Sequence, residues 1–151
     1  MYWDNPIPVV ASLVNLSDSY VLARNANWPV GLFSFLTGFI ENGEAPDSAA
    51  VRETQEELGV RAVSAHLIGH FPSARLKQLV IAYEVRAAGQ LTLSDEIAEV
   101  KVVSPAELAT FNFGPLYLTS EIVSSWLQSR GVTPARRARR AAAPDRARSR
   151  G

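Results

Sequence analysis

Cysteine is absent from the 151 residues. Its absence excludes a disulfide scaffold, cysteine-ligated zinc, an iron–sulfur cluster and a cysteine nucleophile. Histidine occurs only at positions 66 and 70, too few for an imidazole metal cage, so His66 and His70 are read as structural. Apolar runs of about 18 residues or more, the length that crosses a bilayer, are missing. The opening Met1-Tyr2-Trp3-Asp4-Asn5-Pro6 lacks the basic start and apolar core of a signal peptide. A cytoplasmic protein with no membrane attachment is expected. Net charge is lacking too: 15 Lys and Arg balance 15 Asp and Glu.

That neutrality is an average over two unlike segments. Arg136, Arg137, Arg139, Arg140, Arg146, Arg148 and Arg150 lie near the end of the chain, with Asp145 as their one acid, so this stretch carries +6 and the remainder −6. The stretch is otherwise mostly Ala, Pro and Ser, which cannot bury enough surface to offset ordering entropy. We divide the chain into a folded domain over 1–130 and a basic, disordered tail over 131–151. The tail reads first as a solvated extension; contact with nucleic acid through its arginines is the lesser expectation.

What is present in the body is an alternation of strand-like and helix-like patterns. Residues 7–16 and 20–24 read as a hairpin joined through Asn15, Ser17 and Asp18. Residues 32–40 form a third apolar stretch. Residues 46–58 read as a helix, with Pro46 in its first turn, Asp47 favouring its N-terminus and Gly59 just past its end. Strands are expected at 63–71, 78–86 and 99–103. Ser104 and Glu107 have capping-box spacing and open a short helix. A last helix spans 116–128, with Ile122, Val123, Trp126 and Leu127 as its apolar face. The order predicts an α/β (α+β) sandwich on a mixed sheet rather than a regular βαβ array.

The informative segment is GFIENGEAPDSAAVRETQEELGV, residues 38–60. On its helix, Ala50, Val51, Thr54 and Leu58 fall in one arc, which should pack on the sheet. Glu53, Glu56 and Glu57 occupy an adjoining arc. Like charges at these spacings repel by roughly 0.2–0.5 kcal/mol per pair. The helix dipole disfavours acids in the last turns by roughly 0.3–1 kcal/mol each. Arg52, four residues before Glu56, relieves part of this. A divalent cation would remove both costs, and carboxylate oxygens without cysteine or a local histidine select Mg²⁺ or Mn²⁺. For the cluster alone, a solvated acidic helix face is the competing reading.

The wider spacing decides between them. Gly38, Glu44, Arg52-Glu53, Glu56-Glu57 and Gly59-Val60 reproduce G-x5-E-x7-R-E-U-x-E-E-x-G-U, where U is a bulky apolar residue; only Thr54 departs from it. The chain resembles the Nudix hydrolases, and the strands before and after the box match that family's αβα sandwich with a mixed β-sheet. The resemblance implies hydrolysis, with Mg²⁺ or Mn²⁺, of the pyrophosphate bond in a nucleoside diphosphate linked to another moiety. By the same resemblance Glu53 and Glu57 are metal ligands, and Glu56 is a third ligand or holds water. Glu44 and Arg52 are catalytic-site residues that orient the loop and the ligands, while Gly38 and Gly59 permit the flanking turns. Glu99 is a further metal ligand or base, with Asp95 and Glu96 as alternatives. A homodimer is the assembly common among such relatives.

Residues 2–10 and 36–41 are similar to the NADH-pyrophosphatase-like branch of the family. The chain departs from that branch in lacking a cysteine zinc ribbon. Where the branch has S-Q-P-W-P-F-P-x-S, only Phe71-Pro72 of the signature remains. The substrates open to it are NADH, ADP-ribose, dinucleoside polyphosphates and nucleoside triphosphates. Phe35, Phe71, Tyr83 and Phe113 are the aromatic residues expected to bind the nucleoside, from a wider set including Trp28, Phe33 and Phe111. Arg75 and Lys77 are candidates to meet phosphate. Two rival readings are a non-catalytic Nudix domain that senses a nucleotide or ADP-ribose, and an RNA-directed pyrophosphohydrolase that uses the basic tail.

Overall fold

The computed structural model describes residues 5–130; the expected disordered tail over 131–151 lies outside the described residues. The strands are β1 (Ile7–Leu16), β2 (Ser19–Asn25), β3 (Leu36–Phe39), β4 (Arg61–Ser73), β5 (Gln78–Ala88) and β6 (Ile97–Val103). The helices are α1 (Pro46–Leu58), α2 (Pro105–Ala109) and α3 (Tyr117–Ser129). They build a mixed sheet in the order β4-β5-β1-β2-β6, and β3 also pairs with β1. The β1–β5 pair is parallel, and the others are antiparallel. The α+β sandwich expected from the sequence is the observed fold.

β1 is the hub because it is apolar on both faces. Val9, Ala11 and Leu13 point into the cluster that holds Trp126, Ile122 and Val123 of α3. Val10 and Val14 point to the opposite side, against Ala49 and Ala50 or Leu58 of α1. This period-two alternation, buried twice over, marks a central strand. Each fully buried Val or Leu contributes about 1.5–3 kcal/mol. One edge of β1 is divided: residues 9–12 pair with β3 and residues 14–16 with β2. The β1–β2 turn places Ser17 and Asp18 at positive φ, and the Asp18 N–H donates to Asn15 Oδ1 at 2.9 Å. That side-chain acceptor makes a left-handed turn tolerable without glycine.

α1 starts at Pro46, where the missing N–H costs nothing, and stops at Gly59, whose φ of 68° is left-handed. Its buried face is Ala49, Ala50, Thr54 and Leu58, so Ala49 takes the place expected for Val51. Thr54, the departure from the box, donates its hydroxyl to the Ala50 carbonyl at 2.8 Å. The side chain therefore buries a methyl group and a satisfied hydroxyl, which explains why threonine fits there. The capping box at Ser104 and Glu107 forms as predicted.

Two further expectations change. The 32–40 stretch is strand only over Leu36–Phe39; before it, Ser34 makes a single antiparallel bridge to Ala23 while Phe33 and Phe35 turn into the core. β4 and β5 run longer than expected, through two bulges in their pairing. Among the described residues no helix is long and apolar enough to cross a membrane.

Candidate active site

The turn preceding α1, and α1 itself, bring together the residues singled out in the sequence. Arg52 is their organiser. Its Nε and Nη2 donate to the two oxygens of Glu44 at 2.8 and 3.0 Å, a fork-on-fork pair. Nη2 also donates to the Phe39 carbonyl at 3.1 Å, which ties α1 to the end of β3. Nη1 donates to Glu53 and to Glu56, both at 3.2 Å, with Glu41 at 3.6 Å. One guanidinium thus holds carboxylates that would otherwise repel one another. Glu44 receives a second bond at its own turn, from the Glu41 N–H at 2.9 Å.

The electrostatics separate these acids. The Arg52 fork holds the Glu44 carboxyl below its ordinary range. Glu53 moves the other way: burial is the main cause, and the charges of Glu57 and Glu56 add to it, outweighing Arg52. The Glu53 carboxylate lies against Gly38 so closely that a Cβ on that residue would overlap it. Gly38 is therefore a vacancy for a functional side chain rather than a flexible joint.

Glu57 is held separately. Ser94 donates its hydroxyl to Glu57 Oε1. The same segment straps the end of α1: the Thr92 N–H donates to Leu58 O at 2.8 Å and the Ser94 N–H to Glu57 O at 3.0 Å. These bonds satisfy two carbonyls that a helix terminus leaves unpaired. Gly59 has to be glycine beneath this strap, because a Cβ would come within 2.7 Å of Thr92 O.

Glu57 faces a narrow cleft lined also by Asn25, Trp28, Phe35, Thr37 and Glu96. A wider groove runs along the outer side of α1 beside Ala65 and reaches Arg52 and Glu56, but no aromatic side chain lines it. The narrow cleft is where two acids, Glu57 and Glu96, meet the partly exposed Trp28, while Phe35 closes it from the core.

The other candidates divide. Phe35, Phe71 and Phe113 all belong to the α3 side of the core, Phe35 and Phe113 edge-to-face at 6.1 Å between centroids. Of these only Phe35 reaches the cleft. Tyr83 lies across the sheet with Val10, Ala49 and Ala50, and so is not brought to the other aromatics. Glu99 is not brought to the α1 carboxylates: Arg24 Nε donates to it at 2.7 Å on the α3 side of β6. The acid beside Glu57 is Glu96. His66 and His70 are exposed on β4, and Arg75 is exposed on the β4–β5 turn. Ser94 was not singled out by the sequence, since no local pattern marks a serine that will reach a helix end 37 positions away.

Among the described residues no three acids or histidines already converge as a metal cage. The donor set nonetheless fits a hard cation. Three carboxylates share one helix arc, and one of them is partly buried among like charges with its proton affinity raised.

A family model described as "NUDIX domain" matches residues 6–126. A NAD-capped RNA hydrolase NudC of Mycobacterium bovis is 36% identical over 77 residues, covering 50% of this chain and 25% of that protein. A protein of the same name from Pseudomonas putida is 31% identical over 106 residues, covering 67% of this chain and 37% of its own length. The chain therefore spans well under half the length of these curated relatives. A NUDIX hydrolase from Nitrosomonas europaea superposes with a TM-score of 0.73 at 20% identity, over 87% of this chain and 77% of that one.

Proposed function

The chain belongs to the Nudix family, and from that premise we propose that it hydrolyses the pyrophosphate bond of a nucleoside diphosphate linked to another moiety, with Mg²⁺ or Mn²⁺. The observation that carries this reading is the placement of Glu57 at a cleft it shares with Glu96 and Trp28, next on α1 to the Arg52-centred carboxylates. In the reaction, the oxygen of water joins one phosphorus, the bridging P–O bond breaks, and the protons of water pass to the products or solvent. A nucleoside monophosphate leaves with the other phosphate-bearing half, a second phosphomonoester when the substrate is a dinucleotide or ADP-ribose.

Glu53, Glu56 and Glu57 would hold the cation, which when bound offsets the charge of the diphosphate and favours ionisation of the attacking water. Arg52 keeps Glu53 and Glu56 on one side of α1, and Glu44 fixes Arg52. Ser94 fixes Glu57. Trp28, partly exposed at the cleft, offers a ring surface to a base, and Glu96 supplies a further carboxylate there.

The names of the M. bovis and P. putida relatives favour a dinucleotide such as NAD, free or at the end of an RNA, within this class. A panel of NADH, ADP-ribose, a diadenosine polyphosphate, a nucleoside triphosphate and NAD-capped RNA, each with Mg²⁺ or Mn²⁺, tests the reading. Phosphomonoester products are expected from at least one, abolished in Glu57→Gln. No turnover of any, or unchanged turnover in Glu57→Gln, refutes it and leaves a sensing domain.

A further inference from the structure

Arg24 Nε and Glu99 Oε2 form an ion pair at 2.7 Å that lies outside the carboxylate cluster. Their pairing follows from strand register. Arg24 on β2 stands opposite Glu99 on β6, immediately before a bulge that displaces Asn25 to the level of Ile97. Glu99 shares its face with Lys101, over the Phe33 ring, and with Val103 in the α3-side core. α1 and its glutamates pack on the other face.

The second donor of Arg24 shows what the pair does. Nη1 donates to the main-chain carbonyl of Trp28 at 3.0 Å. Trp28 sits on an excursion that leaves β2 after Asn25 and returns at Ser34, where Ala23 and Ser34 close its base with two backbone bonds of 2.8 and 3.0 Å. Within it, the Trp28 N–H donates to Asn25 O at 2.9 Å, and the Ala26 N–H to Glu96 O at 2.9 Å. The excursion is exposed at Val30, 86% accessible, and has no helix or strand of its own. At Trp28 O the excursion is held by a side chain of the sheet, that of Arg24. The Arg24 side chain is 15% exposed and that of Glu99 45%, so Glu99 anchors a largely buried guanidinium from the solvent side.

We propose that the Arg24–Glu99 pair is a latch that positions the Trp28 wall of the cleft, and so sets how tightly the site takes the planar base of a nucleotide. The inference rests on the functional reading above for its ligand and on the described geometry for the latch. Glu99 then acts through Arg24 and Trp28 as a positioning residue, and touches neither cation nor substrate. Its removal should alter binding of the base and leave the chemical step alone.

Hydrogen exchange of the amides of residues 26–32 reads the latch without substrate. Glu99→Gln and Arg24→Met should each speed that exchange by about tenfold, since a segment with few contacts opens once its anchor is lost. Calorimetric titration with AMP, free of divalent cations, reads the wall. Trp28→Ala should weaken AMP by about tenfold, the scale of a lost base–aromatic stack. Glu99→Gln should weaken it by about threefold, and by nothing further in the Trp28→Ala background, the non-additivity expected of residues acting through one another. With a turned-over substrate, Glu99→Gln should raise KM and leave kcat within about twofold, the signature of lost uniform binding. Exchange unchanged in both variants overturns the latch, as does a Glu99→Gln effect confined to kcat. A wild-type protein that binds no AMP overturns the base assignment, while the substrate panel decides the functional reading and the exchange result decides the latch.

Discussion

Two half-buried glutamates on opposite faces of the sheet receive opposite treatment. Glu84, on β5 under α3, is surrounded by donors: Tyr20 OH at 2.8 Å, Trp126 Nε1 at 2.9 Å and Asn15 Nδ2 at 3.1 Å, with Arg130 at 3.9 Å. Burial works to raise its proton affinity, but those bonds prevail and the carboxyl titrates below its usual range. The same arrangement pushes the Tyr20 phenol up, mainly by burial and then by its bond to Glu84. Glu53, under the end of β3, has one donor residue, Arg52, shared with other acids, and burial prevails. One charge is completed by the protein. The other is left short of positive partners, as a cation site must be.

The contrast can be broken most severely at the α1 carboxylates. Glu53→Gln or Glu57→Gln should lower kcat by about a hundredfold or more, as expected for groups acting on the transition state. Circular dichroism melting should show no loss of stability in Glu53→Gln, because a like charge has been removed. An unstable Glu53→Gln would mean that its carboxylate is structural. Next in size, Glu84→Ala should cost about 3 kcal/mol in urea unfolding, since three buried donors lose their acceptor. Turnover per folded molecule should be kept; lost turnover would erase the distinction between the two sites.

A gentler test is ligand linkage. Mg²⁺ at about a hundred times its dissociation constant should stabilise the wild-type fold by about 2.7 kcal/mol. Glu53→Gln should lose most of that gain and Glu84→Gln none of it. The smallest effect is on pH dependence in the absence of cations. Glu84 has a lowered proton affinity, so its contribution is present above the ordinary glutamate value, about 4.3, and is lost as pH falls through its folded value. Glu53 has a raised affinity, so its contribution is present below the ordinary value and is lost as pH rises through its folded value. Melting temperature should therefore pass through a mildly acidic maximum. Glu53→Gln should flatten the neutral side and Glu84→Gln the acidic side.

The two sites also differed in how far the sequence revealed them. The α1 cluster was legible because helix periodicity alone puts Glu53, Glu56 and Glu57 in one arc, and Gly38 and Glu44 stand at fixed spacing before them. Strand register is not written locally. Glu84 meets Tyr20 and Asn15 only through the parallel β1–β5 pairing, and nothing near Glu84 announces it. Glu99 failed to join the cluster for the same reason: its role depends on which β2 residue lies opposite. Tyr83 and Phe71 read alike as aromatic strand residues, and only the pleat put them on different faces. The 32–40 stretch read as one strand because an apolar run filling the core irregularly has the composition of a strand.

The strap over α1 carries a consequence for the order in which the chain is made. Leu58 O and Glu57 O wait for Thr92 and Ser94, and β1 waits for β5, so Ile7 has no partner at Gln78 until that strand exists. A nascent chain ending at Val60 holds every residue of the box, yet its helix has an open end, and the sheet beneath it lacks a central neighbour. The motif is thus complete in text long before it is complete in space. Ribosome-bound chains halted near Ser73 should yield to protease across residues 7–16, whereas chains with α3 through Ser129 clear of the ribosome should resist.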